Sequence, residues 1–407
     1  SVAMPSSTLD TVVQMLAASV NLSEVVVSAD QPTRESMSTV AVNRISANVI
    51  AREGPSNAAT LLWNTGQVMV QQSQQGGGSP VLRGFEANRI LLVVDGVRLN
   101  NAIYRSGHSQ SALTIDPFAI SSVEVRHGAA SVQFGSDALG GVVHYRTRSP
   151  RWEMGSVARG YMSFSSVSNA PTIHADAEVS REGFASFTSV THRRFGDLKM
   201  GNWRPHGEKE WGLVPWRVRT ERDGSSVVDF ADVNADDCIQ PNTGYTQTDV
   251  VQKVRIGSVD RNVELNLQHS NSSNVPRFDR LNDASSGGGP KWAEWNYGPQ
   301  RRTLAALRFR SAVEGLGKVS LTTAYQKIEE SRLKARFGAA NREVQLEQVD
   351  VASVQLDVDR NAGPWSVGFG GSWDHNRVRS DAWMERRSDG VLLSDGVLTR
   401  YPNAGAN

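Results

Sequence analysis

The chain has 407 residues, with 43 Lys+Arg against 42 Asp+Glu and a formal net charge of +1, so it has no surplus of cations and nucleic acid is excluded as its main partner. Hydrophobic residues make up 39% and the mean hydropathy is −0.37. No run of about 18 apolar residues occurs, which excludes membrane-spanning helices but not a transmembrane β-barrel, whose alternating strands average out as polar.

Residues 1–38 are polar and irregular. The chain opens on Ser1 with no charged and apolar leader, and reads as starting after a processing site or inside a longer chain. Leu9–Val20 suggests a short helix, and Glu24-Val25-Val26-Val27-Ser28-Ala29 is a strand seed. That seed is either the first strand of the next domain or an edge to which another protein adds a strand.

Residues 39–147 read as a compact α+β domain. Asn57, Ala58, Ala59, Leu61 and Leu62 mark a short helix running into a strand at Gln67–Gln71, followed by the turn Gln74-Gln75-Gly76-Gly77-Gly78-Ser79-Pro80. Val81–Phe85 and Arg89–Asp95 are predicted strands, the second continuous enough to be central and buried. Asp95-Gly96 is a hairpin signal before Val97-Arg98-Leu99. Asp116-Pro117 with Ala119–Ser122 reads as one helical turn feeding the strand Val123–Arg126.

Beyond about residue 140 the sequence alternates with period 2. Gly155–Ser165, Thr172–Ser180, Asp249–Gly257, Asn262–Ser270, Leu304–Arg310, Lys318–Ile328, Val344–Val358 and Trp365–Trp373 are predicted strands, most long enough to cross a bilayer when tilted. The turns at Arg181-Glu182-Gly183, Val259-Asp260-Arg261 and Glu314–Gly317 are short, whereas 197–246 and 271–301 are long and polar. Short turns alternating with long loops point to an outer-membrane barrel; on alternation alone, a soluble β-sandwich is the competing architecture. Residues 396–407 begin like a strand and stop in a turn, which suggests a chain that continues. The one cysteine, Cys238, excludes a disulfide framework and a Cys-based zinc site within one chain. Asp232, Asp236 and Asp237 beside it lack calcium-loop spacing.

Four motifs occur in a fixed order: Val81-Leu82-Arg83-Gly84-Phe85; Val94-Asp95-Gly96-Val97; Val123-Glu124-Val125; and Phe134-Gly135-Ser136 with Gly140-Gly141-Val142. Together they closely resemble the plug of TonB-dependent outer-membrane receptors. Ala129 after Gly128, and Phe134, depart from the family's usual Pro and Tyr. The resemblance implies an α+β plug inside a mostly β, antiparallel transmembrane barrel of 22 strands, in the bacterial outer membrane. It divides the chain into 1–38 (extension with TonB box), 39–147 (plug) and 148–407 (N-terminal part of the barrel). It also implies that Glu24, Val25, Val26, Val27, Ser28 and Ala29 are the TonB box. The plug positions it marks are Arg83, Gly84, Asp95, Gly96, Glu124, Gly128, Gly135, Gly140 and Gly141, with Arg83 and Glu124 read as a buried ion pair. Each of these residues, taken singly, reads first as a packing device.

Residues 148–407 supply on the order of ten strands. Ten strands close into a cylinder roughly 20 Å across, too narrow for a plug roughly 34 Å in diameter, whereas twenty-two give roughly 44 Å. The expectation is a chain that is the N-terminal portion of a larger receptor, or one whose remaining strands another polypeptide supplies.

The plug segment Tyr104-Arg105-Ser106-Gly107-His108-Ser109-Gln110 falls where the resemblance implies the family's ligand-facing apical loop. Tyr104, Arg105 and His108 are therefore the ligand-binding candidates, and His108 matches an axial ligand of transported haem, which a neutral imidazole suits. A solvent-facing or structurally bonded histidine is the other reading. Trp203, Trp211 and Trp216 with Arg204, Arg217 and Arg219, and likewise Trp292, Trp295 and Tyr297, are either ligand-gripping clusters or headgroup girdles. The implied function is energised import of a scarce iron chelate, either haem, a haem protein or a siderophore. The alternative is a non-transporting plug–barrel subunit of an outer-membrane complex. Partners are periplasmic TonB with its inner-membrane energising complex, outer-membrane lipid and, as a further candidate, an accessory surface lipoprotein. No intrinsic cofactor and no catalytic set is expected.

Overall fold

The computed structural model describes residues 42–64, 66, 68–86, 89–99, 112–128, 134–135, 137–203, 207–224 and 226–406. The Leu9–Val20 helix, Glu24–Ala29 and the apex residues Tyr104, Arg105 and His108 lie outside them, as do Ala129, Ser136 and Arg204.

The N-terminal part is built on a five-stranded mixed sheet. Its elements in chain order are β1 (Val42–Ser46), α1 (Ala47–Glu53), α2 (Ala58–Asn64), the ribbon of β2 (Met69–Gln71) and β3 (Ser79–Val81), β4 (Ile90–Val94), β5 (Val97–Arg98), a 3-10 turn at Pro117–Ala119, β6 (Ile120–His127) and β7 (Gly141–Thr147). The spatial order is β1-β6-β7-β4-β5, with β4 and β7 parallel. All five residues of β4, Ile-Leu-Leu-Val-Val, are buried, because both faces of this central strand are covered. Asn57 starts α2 by accepting the Thr60 N–H at 2.8 Å. Val81–Phe85 is not one strand. Leu82 and Phe85 exchange backbone hydrogen bonds around Arg83 and Gly84, both at positive φ, so the strand ends at Val81.

Ten long strands then follow one antiparallel path: β8 (Gly155–Ser165), β9 (Ala170–Arg181), β10 (Phe184–Phe195), β15 (Tyr245–Gly257), β16 (Arg261–Ser272), β19 (Arg301–Val313), β20 (Gly317–Arg336), β21 (Asn341–Ala362), β22 (Trp365–Arg386) and β23 (Leu392–Ala406). The long connections carry short elements of their own. The first holds β11 (Leu198–Lys199), β12 (Trp216–Asp223), β13 (Ser226–Val233) and β14 (Ile239–Gln240). The second holds β17 (Val275–Pro276), a helical turn at Phe278–Leu281, and β18 (Trp292–Tyr297), which pairs with β20. Turns at one end are short (182–183, 258–260, 314–316, 363–364). The other end carries the connections 196–244 and 273–300. The count of ten agrees with the expectation, and among the described residues the path is open at β8 and β23.

The phase of the alternation separates barrel from sandwich. In β9 the buried side chains are Ala170, Thr172, His174, Asp176, Glu178 and Ser180, and the outward ones include Ile173 and Val179. In β16, Asn262, Glu264, Asn266, Gln268, Ser270 and Ser272 face in, while Val263, Leu265 and Leu267 face out. A soluble sandwich buries its apolar face and wets its polar face. Here the polar face is covered by the N-terminal sheet and the apolar face is bare, as lipid requires. β10 escaped the sequence reading because neither of its faces is uniform: Ala185, Phe187, Ser189, Thr191 and Arg193 point in, and Ser186, Thr188, Val190 and His192 point out.

Candidate functional site

The N-terminal sheet lies against the polar inner face of the long strands, and the contact is fastened at a few buried charges. Asp95 is the main one. The Asp95-Gly96 turn between β4 and β5 has both residues at positive φ (50° and 83°), the geometry that makes this dipeptide a hairpin signal. The turn aims the Asp95 carboxylate at the wall. Oδ1 accepts the Thr147 N–H at 2.8 Å, while Oδ2 accepts Thr147 Oγ1 at 2.6 Å and Asn266 Nδ2 and Gln268 Nε2 at 2.9 Å each. Lys253 Nζ pairs with Oδ2 at 3.1 Å, and Arg308 donates to the Asp95 carbonyl oxygen. Burial alone would raise this carboxyl, but Lys253 and the Thr147 bonds outweigh it, and Asp95 sits well below the usual carboxylate range. The Gly96 N–H donates to His144 Nε2 at 3.0 Å, so that nitrogen carries no proton. Burial, then the Arg146 guanidinium, push His144 down to about 3 and keep it neutral.

A second group of contacts surrounds Asp116, which caps the 3-10 turn by accepting the Phe118 N–H. Its Oδ2 accepts Thr191 Oγ1 of β10 at 2.6 Å. Beside it, Arg193 pairs with Asp249 of β15 and donates to the Ser56 carbonyl at 2.7 Å. Burial, then the Asp249 carboxylate, push Asp116 up to about 6. Gln247 Nε2 donates to the Leu113 carbonyl at 2.7 Å, Gln75 Nε2 to the Gly196 carbonyl at 2.8 Å, and Gln326 Nε2 to the Arg98 carbonyl at 2.7 Å. Apolar packing joins the two parts as well, since Ile328, Val349 and Val351 of the wall enter the core that holds Ile50, Leu62 and Val94.

The sequence-marked plug residues divide between this seam and the interior. Asp95 and Gly96 lie on the seam. Glu124 is buried on β6, but its partners are Arg146 (2.9 Å) and Arg126 (3.4 Å). Arg83 is exposed in its turn next to Gly84, so the expected Arg83–Glu124 pair is corrected. Arg126 lies two residues along β6 and Arg146 on the adjacent β7, both beside Glu124, whereas the Arg83 guanidinium lies near Gly128. Gly140 and Gly141 admit no side chain: a Cβ on Gly140 would meet Phe85 Cβ at 2.4 Å, and one on Gly141 the Arg126 carbonyl oxygen at 2.5 Å. The Gly128 N–H bonds the Gly140 carbonyl, and Gly135 lies against the Arg98 guanidinium. The wall residues Lys253, Asn266, Gln268, Thr191, Arg193, Asp249 and Arg308 were not singled out from sequence. For Asp249, Lys253, Asn266, Gln268 and Arg308 the signal was a polar residue recurring next to apolar ones; Thr191 and Arg193 carried none, because neither face of β10 is uniform.

The loop aromatics also separate. Trp203 is 85% exposed and Trp211 65%. Trp295 and Tyr297 are buried together edge to face, with the Arg277 guanidinium over both rings. Those two hold a loop together and are not open to a ligand. Trp292 packs partly buried against the same cluster.

Residues 33–142 match the family model of the TonB-dependent Receptor Plug Domain. The chain is 39% identical over 82 residues to the vitamin B12 transporter BtuB of Vibrio vulnificus, covering 19% of this chain and 13% of that protein. It is 32% identical over 107 residues to the hemin receptor of Yersinia pestis, covering 26% of this chain and 15% of that one. Solved structures resemble it over nearly its whole length: the copper transporter OprC (TM-score 0.63, 13% identity, 89% of this chain and 50% of that one) and the ferric citrate transporter FecA (0.60, 17%, 89% and 51%). The chain thus spans about half the length of those structures and a smaller share of the curated relatives. These proteins are named as transporters and receptors, not enzymes. Residues 33–142 are thus a TonB-dependent receptor plug domain, seated on the polar face of ten antiparallel strands in the plug-and-barrel fold of the receptors and transporters to which the chain is similar.

Proposed function

We propose that the protein imports a scarce iron chelate, haem, a haem protein or a siderophore, across the outer membrane, using work delivered by TonB. One observation carries this reading: the plug lies against the polar side of the strands and is fastened there by buried charges, so passage along that face requires work to displace it. The division into an extension at 1–38, a plug at 39–147 and barrel strands from 148 is part of the proposal, as is the pairing of Glu24–Ala29 with TonB. Among the described residues the path is open at β8 and β23, and hydrocarbon cannot satisfy unpaired backbone groups there, which supports a barrel completed by further strands. The hemin-receptor relative and the matching position of His108 favour haem among the cargoes.

Deleting residues 24–29 tests the mechanism. The expected result is loss of uptake with ligand binding intact; retained uptake refutes energy transfer through this segment and favours a non-transporting subunit. Haemin titration tests the cargo. A Soret shift that is lost in His108→Ala supports His108 as the axial ligand, and a shift unchanged in that variant rejects it.

A further inference from the structure

A buried chain of hydrogen bonds runs from the plug into the wall beside the Asp95 fastening. Asp116 Oδ2 is 2.6 Å from Thr191 Oγ1. The same hydroxyl is 2.7 Å from His174 Nδ1, and His174 Nε2 is 3.1 Å from Asp176 Oδ2. Thr191, His174 and Asp176 are all buried, and the Phe118 ring stacks on the imidazole at 5.4 Å. The charged groups around the chain are Arg193 and Asp249 on the Asp116 side, and Arg148 and Arg159 on the Asp176 side, the last two at 2.9 and 2.8 Å from that carboxylate.

The polarity of these bonds is constrained. Asp176 accepts from two guanidiniums, so His174 Nε2 must donate to it. Thr191 has one hydroxyl proton and stands between two groups. If Asp116 is ionised, the hydroxyl donates to it, and Nδ1 must also carry a proton in order to donate to Thr191. If Asp116 is protonated, the acid donates to Thr191, the hydroxyl donates to Nδ1, and His174 is neutral. Both arrangements satisfy every bond and contain the same number of protons. They interconvert when the Nδ1 proton passes to Thr191 as the hydroxyl proton passes to Asp116. With one proton fewer, Thr191 Oγ1 and Nδ1 face each other as two acceptors at 2.7 Å, and one link opens.

We propose that Asp116 and His174 share a single proton across Thr191, and that this proton holds the 112–120 segment of the plug to β9 and β10. The contact is a proton-sensitive catch, whatever the cargo. The Asp116 carboxyl is held above its ordinary value by burial and then by the Asp249 carboxylate, and the link opens when the shared proton leaves as pH rises.

Hydrogen exchange of the full chain in outer-membrane vesicles, corrected for intrinsic rates, tests this between about pH 5 and about pH 8. Protection of peptide 112–120 in the wild type is expected to fall on the order of five-fold across that range, while peptide 90–94 stays unchanged. Asp116→Asn supplies a permanent donor to Thr191, so its protection should be flat with pH. Thr191→Ser should retain the wild-type slope and Thr191→Val should lose it. A flat wild-type profile, or a wild-type slope surviving in both Asp116→Asn and Thr191→Val, overturns the proposal. A merely structural role would lower protection equally at every pH, which also overturns it.

Discussion

Asp229 and Arg387 stand 158 residues apart in sequence and form a two-pronged ion pair, Nη1 to Oδ2 at 2.8 Å and Nη2 to Oδ1 at 3.0 Å, with both side chains shielded from solvent. The pair ties the β12–β13 hairpin to the turn between β22 and β23. Asp229 also accepts the Gly338 N–H, and Arg387 reaches Glu294 at 3.2 Å and the Ala339 carbonyl at 2.8 Å. One hairpin is thereby fixed to three other segments at the long-loop end.

Asp229→Ala should release that hairpin. Removing one partner leaves Arg387 buried with only part of its compensation, a local loss of about 3 kcal/mol. Limited proteolysis should cut within 216–233 many times faster in the variant, with the plug unaffected; equal cutting rates would contradict the latch. Burial would raise the Asp229 carboxyl, but the Arg387 and Thr220 bonds hold it below its ordinary 3.8. Its contribution is therefore complete above that value and is lost as the medium is acidified through the lower folded one.

Asp95→Ala should cost about 3–5 kcal/mol, because Lys253 stays buried without its carboxylate. Asp95→Asn should cost less, since the amide oxygen still accepts from Thr147. The folded carboxyl lies below the ordinary range, so the stabilisation is present at neutral pH and disappears only in acid. Thermal unfolding of the full chain by circular dichroism, compared at neutral and acid pH, measures this. A gap between wild type and Ala variant that does not shrink in acid would argue against the ionic fastening.

Gly140→Ala and Gly141→Ala should each destabilise the plug by roughly 1–3 kcal/mol. The clash at Gly140 is with Phe85 Cβ, and that at Gly141 is with the backbone oxygen of Arg126, so neither is relieved by a side-chain rotation. Hydrogen exchange of β4 and β7 should accelerate. Unchanged exchange would mean that the sheet tolerates a methyl group there.

Leu265→Arg places a charge on the bare face of β16. In a bilayer this costs about 2–4 kcal/mol near the midplane, whereas an aqueous surface would tolerate it within about 0.5 kcal/mol. Quantifying folded protein in purified outer membranes distinguishes the two, and wild-type yield would contradict a lipid-facing position.

Much of the architecture was legible because local chemistry and tertiary role coincide. Ile90–Val94 is apolar on both faces and becomes the buried central strand; Asp95-Gly96 is a turn by backbone preference alone; Gly155–Ser165 approximates period 2 and forms a strand with those limits. The seam was legible only on the plug side. Asp95 belongs to a short-range motif, but its partners Lys253, Asn266 and Gln268 come from strands more than 150 residues downstream, and only the register of β15 on β16 brings them to one point. Glu124 was assigned the wrong arginine for a related reason. Arg146 is its neighbour through sheet pairing, and no spacing rule distinguishes Arg146 from Arg83.

The inward-polar, outward-apolar phase of β9 and β16 also governs assembly. Because side chains alternate strictly, a pairing error of one residue would turn Asp176, Glu178, Glu264 and Lys253 toward hydrocarbon and Ile173 and Leu265 toward the plug. Misthreaded intermediates are thus rejected by the membrane itself, and the bilayer edits the hairpins as they insert.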